Sequence, residues 1–288
     1  MDPVSRVIKL CDQGLSGKLG WIGRRSARRL GRRQKLRNKR GMKIVLSRKG
    51  FDSASGGGPS PIVDGRPVSL PIPAGAGPSR TTYGALGLGG LAGRASRGRL
   101  GDKDPCHHDP MFLDDGTCLF GQVGAAQTHL ANQGVGAGDI FLFFGLFREE
   151  GKDPHHRIFG YLRVEQVMPL PGCDQALLER ANALSHPHAL AMLGRNDTLY
   201  HGPGRVAAMA TPGLRLTVAE GPPSLWEIPP WLRRTGLSYH DRTDRWLRGS
   251  RLRSVARGQE FVADIGRRRA PREWAEAMIA QIERRPDQ

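Results

Sequence analysis

Cys106-His107-His108-Asp109 sets a thiol, two imidazoles and a carboxylate in four consecutive positions, inside "DPCHHDP". Each of these groups can ligate a metal, and Asp and His can also move protons near neutral pH. Adjacent residues rarely grip one ion together, so at most two ligands come from this stretch. The others must come from a distance: His129, His155, His156, His186, His188, His201 or His240. The plainer reading is a loop of solvated histidines. Taken as chemistry, the cluster points to His108 and Asp109 together with His129, as acid/base groups or ligands of a divalent metal.

A second stretch, "SRKGFDSASGGGPSPI" from Ser47 to Ile62, has the composition of a phosphate cradle. Its spacing excludes the common nucleotide loops. A Walker A loop closes on Lys followed by Ser or Thr and opens a helix, whereas Lys49 precedes the glycines and Pro59 and Pro61 follow them. The dinucleotide fingerprint G-x-G-x-x-G is also absent. A looser anion site remains open, with Arg48 and Lys49 supplying charge and Gly56, Gly57 and Gly58 supplying amides. The alternative is a tight turn with two solvated cations. No G-x-S-x-G, H-E-x-x-H or H-x-E…P-C-x-x-C pattern occurs, which argues against the common hydrolase, zincin and zinc-deaminase chemistries.

A third set lies late in the chain. Trp226, Trp231, Tyr239 and Trp246 are interleaved with His240, Arg242 and Arg245. Aromatic faces stack bases and arginine neutralises phosphate, although any single Trp also suits a core. Gln127 and Gln133, on either side of His129, and Gln259-Glu260 could read a base edge.

These residues need a frame. "MKIVL", Met42 to Leu46, reads as a short strand before the glycine-rich loop. Asp64-Gly65 is a hairpin turn signal between Ile62-Val63 and Val68-Leu70. Residues 74–104 read as a loop or flap. Ala125 to Gln133 suits a short helix ended by Gly134. "IFLFFGLF", Ile140 to Phe147, fits a buried strand, and Ile158 to Val167 a partner. Asp174 is a candidate N-cap for a helix carrying Leu177, Leu178, Ala181 and Leu184, with Pro187 ending it. Leu214 to Val218 reads as a strand, and "SLWEIPPWL" as irregular. A final helix has Pro271 in its first turn and a Trp274, Met278, Ile282 stripe. The fold class is α+β: a β-rich centre formed by a PUA-like barrel or a strongly bent sheet, short flanking helices and a C-terminal helix.

Charge divides the chain. Of a formal +17, residues 1–41 carry +11, from thirteen Lys or Arg against Asp2 and Asp12, which leaves +6 for the rest. The first 41 residues read as a basic, disordered arm: a nucleic-acid arm, an organelle transit segment, or an upstream region of a chain that naturally starts at Met42. Residues 42–288 read as a single domain. The four cysteines form no CxxC pair, so a reducing cytoplasm is the expected setting. No apolar run approaches the length of a membrane helix, and no membrane partner is expected.

The Gly138-Asp139 turn into "IFLFFGLF", with "IFGYLRV" returning, resembles the central hairpin of PUA-like barrels. More of the chain is similar to one family. "MKIVLSRKGFDSASGGGPSPI", "SLPIP", "FGQVGAAQTHLANQGVGAGDIFLFFGLFR", "IFGYLRVEQV", "LSYHDRTDRW" and "RGQEFV" resemble the nucleotide modification associated domain family, third type, from Met42 to about Trp274. The resemblance implies a bacterial or phage domain of base-modification systems that handles nucleic acid or a nucleotide, DNA before RNA. The matched polar positions are Ser47, Arg48, Lys49, Asp52, Ser60, His108, Asp109, Gln127, His129, Gln133, His240, Gln259 and Glu260. Within this frame the Ser47–Ser60 loop would hold phosphate. Gln127, Gln133, Trp226, Trp231, Tyr239, His240, Gln259 and Glu260 would contact the base. A non-catalytic reader of modified DNA or RNA, or a metal-dependent enzyme acting on a small molecule, remain the alternatives.

Overall fold

Ten consecutive residues, Ile140–Glu149, form the central strand, and alternation along it divides the core in two. In the computed structural model, which describes residues 41–75, 79–173, 175–190, 193–256 and 258–284, Ile140, Leu142 and Phe144 face one apolar cluster. Phe141, Phe143 and Phe147 face another. A strand buried on both faces needs no polar face, which is why its sequence is a continuous apolar run. The expected basic arm, as far as Arg40, lies outside the described residues, as do Asp174 and Arg257.

In chain order the strands are β1 (Met42–Arg48), β2 (Ser60–Val63), β3 (Arg66–Pro67), β4 (Met111–Phe112), β5 (Thr117–Gln122), β6 (Ile140–Glu149), β7 (His155–Arg163), β8 (Gln166–Pro169), β9 (Thr198–Val206), β10 (Leu225–Glu227), β11 (Trp246–Leu247), β12 (Arg251–Arg253) and β13 (Glu260–Gly266). The α-helices are α1 (Gly89–Ser96), α2 (Gly124–Asn132), α3 (Gln175–Ala183), α4 (Pro187–Leu190), α5 (Pro230–Thr235) and α6 (Arg269–Glu283). The main sheet runs β13-β1-β6-β7-β9-β5-β4, with the β2-β3 hairpin added along β6 and β8 along β9. β1 is parallel to β6 and antiparallel to β13. β9 pairs with β7 at its end and with β5 and β8 at its start, so it joins two parts of a strongly bent sheet. The fold is α+β with a β-rich centre, as the sequence predicts. β10, β12 and β11 form a separate small sheet.

Local signals act where expected. Asp64 and Gly65 both adopt left-handed φ (49° and 72°) and close the β2-β3 hairpin. Helix α6 buries Ala275, Met278, Ile279 and Ile282 against the first cluster. Three expectations are corrected. Residues 74–104 contain helix α1, because Ala92 packs with Phe51, Leu70, Tyr83 and Cys106 in a small third core. "SLWEIPPWL" forms β10 and then α5, since Pro230 sits in the first helical turn, where its missing N–H costs nothing. Leu214 to Val218 is a 3-10 turn with isolated bridges, not a strand.

The first core contains a pH-sensitive contact. The indole N–H of Trp226 donates to Nδ1 of His156 over 3.1 Å, which requires that nitrogen to be unprotonated. Burial, with help from the Arg48 charge, lowers the His156 pKa to about 3. The unfolded chain therefore takes up this proton first, and stability falls as pH drops from about 6.5 towards 3. The expected loss is on the order of 5 kcal/mol at most. Urea denaturation across that range, with His156→Gln showing a flatter profile, checks it.

Candidate metal centre

Cys106 decides which way its neighbours point. Its side chain is fully buried in the third core and its N–H donates to Thr81 O. The chain behind it is tied at each step: His107 N–H to Ile72 O, His108 N–H to Cys106 O, and Asp109 N–H to His107 O. His107 and Asp109 then line one cavity, of about 310 Å³. His108 does not reach that cavity; it lines another, of about 560 Å³, bounded also by Arg66, Phe112 and Phe159.

His188 arrives from α4, some eighty residues further along. The pairing of β5 with β9 brings it in: Gly121 on β5 lies beneath its ring, and Asp197 immediately precedes β9. A Cβ at Gly121 would sit 2.3 Å from the His188 Cδ2, so only glycine leaves room. Asp197, fully buried, holds His188 Nδ1 at 2.6 Å through Oδ1 and accepts Leu193 N–H through Oδ2. This leaves His188 Nε2 for another partner, as in carboxylate–histidine–metal relays.

His107, Asp109 and His188 can each offer one ligand atom such that all lie within 4.8 Å of one another. This group could hold a metal ion. Two imidazoles and a carboxylate suit a divalent transition metal. Burial, opposed in part by Asp109, lowers the His107 pKa to about 4, so its ring is neutral and has a lone pair to give. Burial would raise the Asp109 pKa, but His186, His188 and His107 outweigh it and hold the carboxylate ionised. Asp109 Oδ1 accepts Gly121 N–H at 2.8 Å. His186, fully buried, has Nε2 3.2 Å from the same oxygen, and neither of its ring nitrogens makes an aligned hydrogen bond among the described residues. Gly121→Ala is expected to displace the His188 ring and weaken metal uptake by at least about tenfold. A competition titration against a chromogenic chelator measures this.

The Ser47–Ser60 loop meets this group at one wall of the same cavity, through Arg48, Lys49 and Asp52. Lys49 Nζ lies 3.0 Å from Glu260 Oε1 and 4.4 Å from the centre of the Phe120 ring. The same Glu260 oxygen accepts from Ser47 Oγ (3.0 Å) and Gln122 Nε2 (2.8 Å). Glu260 is only 1% exposed, and its buried Oε2 has no hydrogen-bond partner among the described residues. A buried carboxylate with three donors on one oxygen and none on the other is poised for one more donor. Gln259 and Gly258 complete the rim.

Other candidates from the sequence have structural work. Arg48 grips Val255 O and Ala256 O and packs on the Phe144 and Phe261 rings, so it braces the rim. Asp52 Oδ1 accepts Ala54 and Ser55 N–H and closes a turn. Gly56 lies against the Phe51 ring, Gly57 against Arg99 and Gly58 against Ala95 O, so the glycines let α1 approach the loop. Ser60 Oγ accepts Leu70 N–H. His129 Nε2 lies 3.0 Å from Ser238 Oγ, and its ring is 4.5 Å from that of Tyr239. Gln127 accepts from the Tyr200 hydroxyl, and Gln133 is exposed at the end of α2. Trp226 is core, Trp231 packs on Trp274, and buried His240 receives Val255 N–H. Tyr239 is 45% exposed. The sequence put His107 and His188 among the possible ligands but pointed to His108 and His129, and Asp197 and Gln122 carried no signal. The closely spaced His186 and His188 were a usable signal.

A family model described as nucleotide modification associated domain 3 matches residues 43–264, well over half of the chain. The chain belongs to the nucleotide modification associated domain 3 family. No curated protein and no solved structure matches it. In this nucleotide modification associated domain, His107, Asp109, His188, Lys49, Gln122 and Glu260 all fall within the matched span. Among the described residues no helix is long and apolar enough to cross a membrane.

Proposed function

We propose that this chain performs divalent-metal-assisted chemistry on a base or nucleotide of nucleic acid, DNA before RNA, within a base-modification pathway. The observation that carries the reading is the convergence of His107, Asp109 and His188 on one cavity wall, with His188 oriented by Asp197. The donor set fits such an ion, and when bound the ion supplies Lewis-acid polarisation of a substrate oxygen.

The chain's own groups do the rest. Asp197 keeps His188 in one tautomer and one orientation. Lys49, lining the same cavity, supplies a fixed positive charge for a phosphate or for negative charge that develops on the substrate. Glu260 accepts from that ammonium, and Ser47 and Gln122 donate to the same carboxylate oxygen and so hold Glu260 in place. Gln259, exposed on the rim, offers an amide that both donates to and accepts from a base edge.

Mass spectrometry tests the proposal. The full chain, loaded with zinc, iron(II) or manganese and supplied with a small-molecule cell fraction as co-substrate source, is incubated with DNA and RNA oligonucleotides. A metal-dependent mass change lost in His107→Ala supports it. Binding without mass change favours a non-catalytic reader. Absence of both binding and mass change overturns it.

A further inference from the structure

Seven arginines stand against Asp241 and Asp244 between positions 233 and 253, a net charge of +5. Residues 42–288 together carry only +6, so almost the whole excess of the domain sits in this segment. It forms the end of α5 and two strands of the small sheet. Arg251 and Arg253 are exposed on either side of buried Leu252, so they share one face of β12 about 6.6 Å apart. That separation is comparable with the phosphate repeat of an extended single strand. Arg248 in the preceding turn and Arg234 on α5 are also exposed. Other arginines of the segment are engaged: Arg233 with Leu247 O, Arg242 with Asp244, and Arg245 with Arg253 O. Among the described residues, Arg234, Arg248, Arg251 and Arg253 make no such contact.

This charge leads to the cavity. From the end of β12 the chain continues through Ser254 to Val255 and Ala256, whose carbonyls Arg48 grips, and Ala256 lines the cavity. Tyr239, the exposed aromatic ring, packs on His129 and beside rim residue Gly258. A row of unpaired guanidiniums ending at an exposed ring and a polar cavity is suited to backbone phosphates followed by a stacked base.

We infer that the arginine face of the small sheet is the docking surface for a polynucleotide strand, which it leads past Tyr239 to the cavity. The substrate is then a nucleotide within a strand and not a free nucleotide. This inference rests on the reading of the cavity as nucleotide-handling.

The test is fluorescence anisotropy of a labelled single-stranded DNA oligonucleotide with the full chain, from about 50 to 300 mM salt. Triple Arg248→Ala, Arg251→Ala and Arg253→Ala replacement should weaken binding at least about tenfold at the lowest salt. It should flatten the log–log salt slope by about 2, near 0.7 per lost phosphate contact. Metal uptake and nucleoside monophosphate binding should not change, and the triple Arg→Lys variant should keep the wild-type slope. Wild-type affinity and slope in the Ala variant overturn this inference and leave the proposed function standing. Failure of the wild-type chain to bind any oligonucleotide overturns both.

Discussion

Lys49→Met lowers stability by about 3 kcal/mol, read as a shift in urea midpoint at constant slope. Lys49 is 11% exposed and Glu260 1%, so the pair is desolvated. Removing the ammonium leaves a buried carboxylate with only Ser47 and Gln122 as donors, one of its oxygens already having none. The cost lies in the partner left behind, not in the Coulomb energy of the pair. The double variant Lys49→Met, Glu260→Gln should therefore recover more than half of the loss, because a neutral amide keeps the two remaining donors satisfied. If the double variant is less stable than either single one, the pair is not a coupled unit.

The second large effect is on metal affinity. His188→Ala removes a ligand and should bring divalent-metal binding below detection in a competition titration. Asp197→Asn leaves the ligands in place but replaces the acceptor that fixes His188 Nδ1, and should cost about 10- to 100-fold in affinity. His129→Ala is the control: its ring contacts Ser238 and Tyr239, away from the group, and affinity should not move. Retention of wild-type affinity in Asp197→Asn would mean that His188 is not a ligand.

The frame was largely legible in the sequence because its signals are local. "IFLFFGLF" has no polar face and so had to be buried on both sides. Asp64-Gly65 could close a hairpin with both residues at positive φ. The Trp274, Met278, Ile282 stripe marked one side of the final helix. Helix α1 was hidden because "GGLAGRAS" is poor in helix formers, and packing of Ala92 against Tyr83 and Cys106 overrides that propensity. The site was legible only in part. Asp109 and Lys49 were within reach, but the choice between His107 and His108 depends on where Cys106 is buried. His188 reaches Asp109 only through the β5–β9 pairing, a contact between distant segments that no local pattern encodes. The glycines of the Ser47–Ser60 loop misled for the opposite reason: their spacing invites a phosphate, yet each one admits a side chain or carbonyl of the protein itself.

X-ray absorption at the metal edge of the loaded full chain tests the metal centre most directly. About one divalent ion per chain is expected, with two imidazoles and oxygen donors around it and no sulfur. A chain that takes up no ion, or a spectrum dominated by sulfur donors, would contradict it.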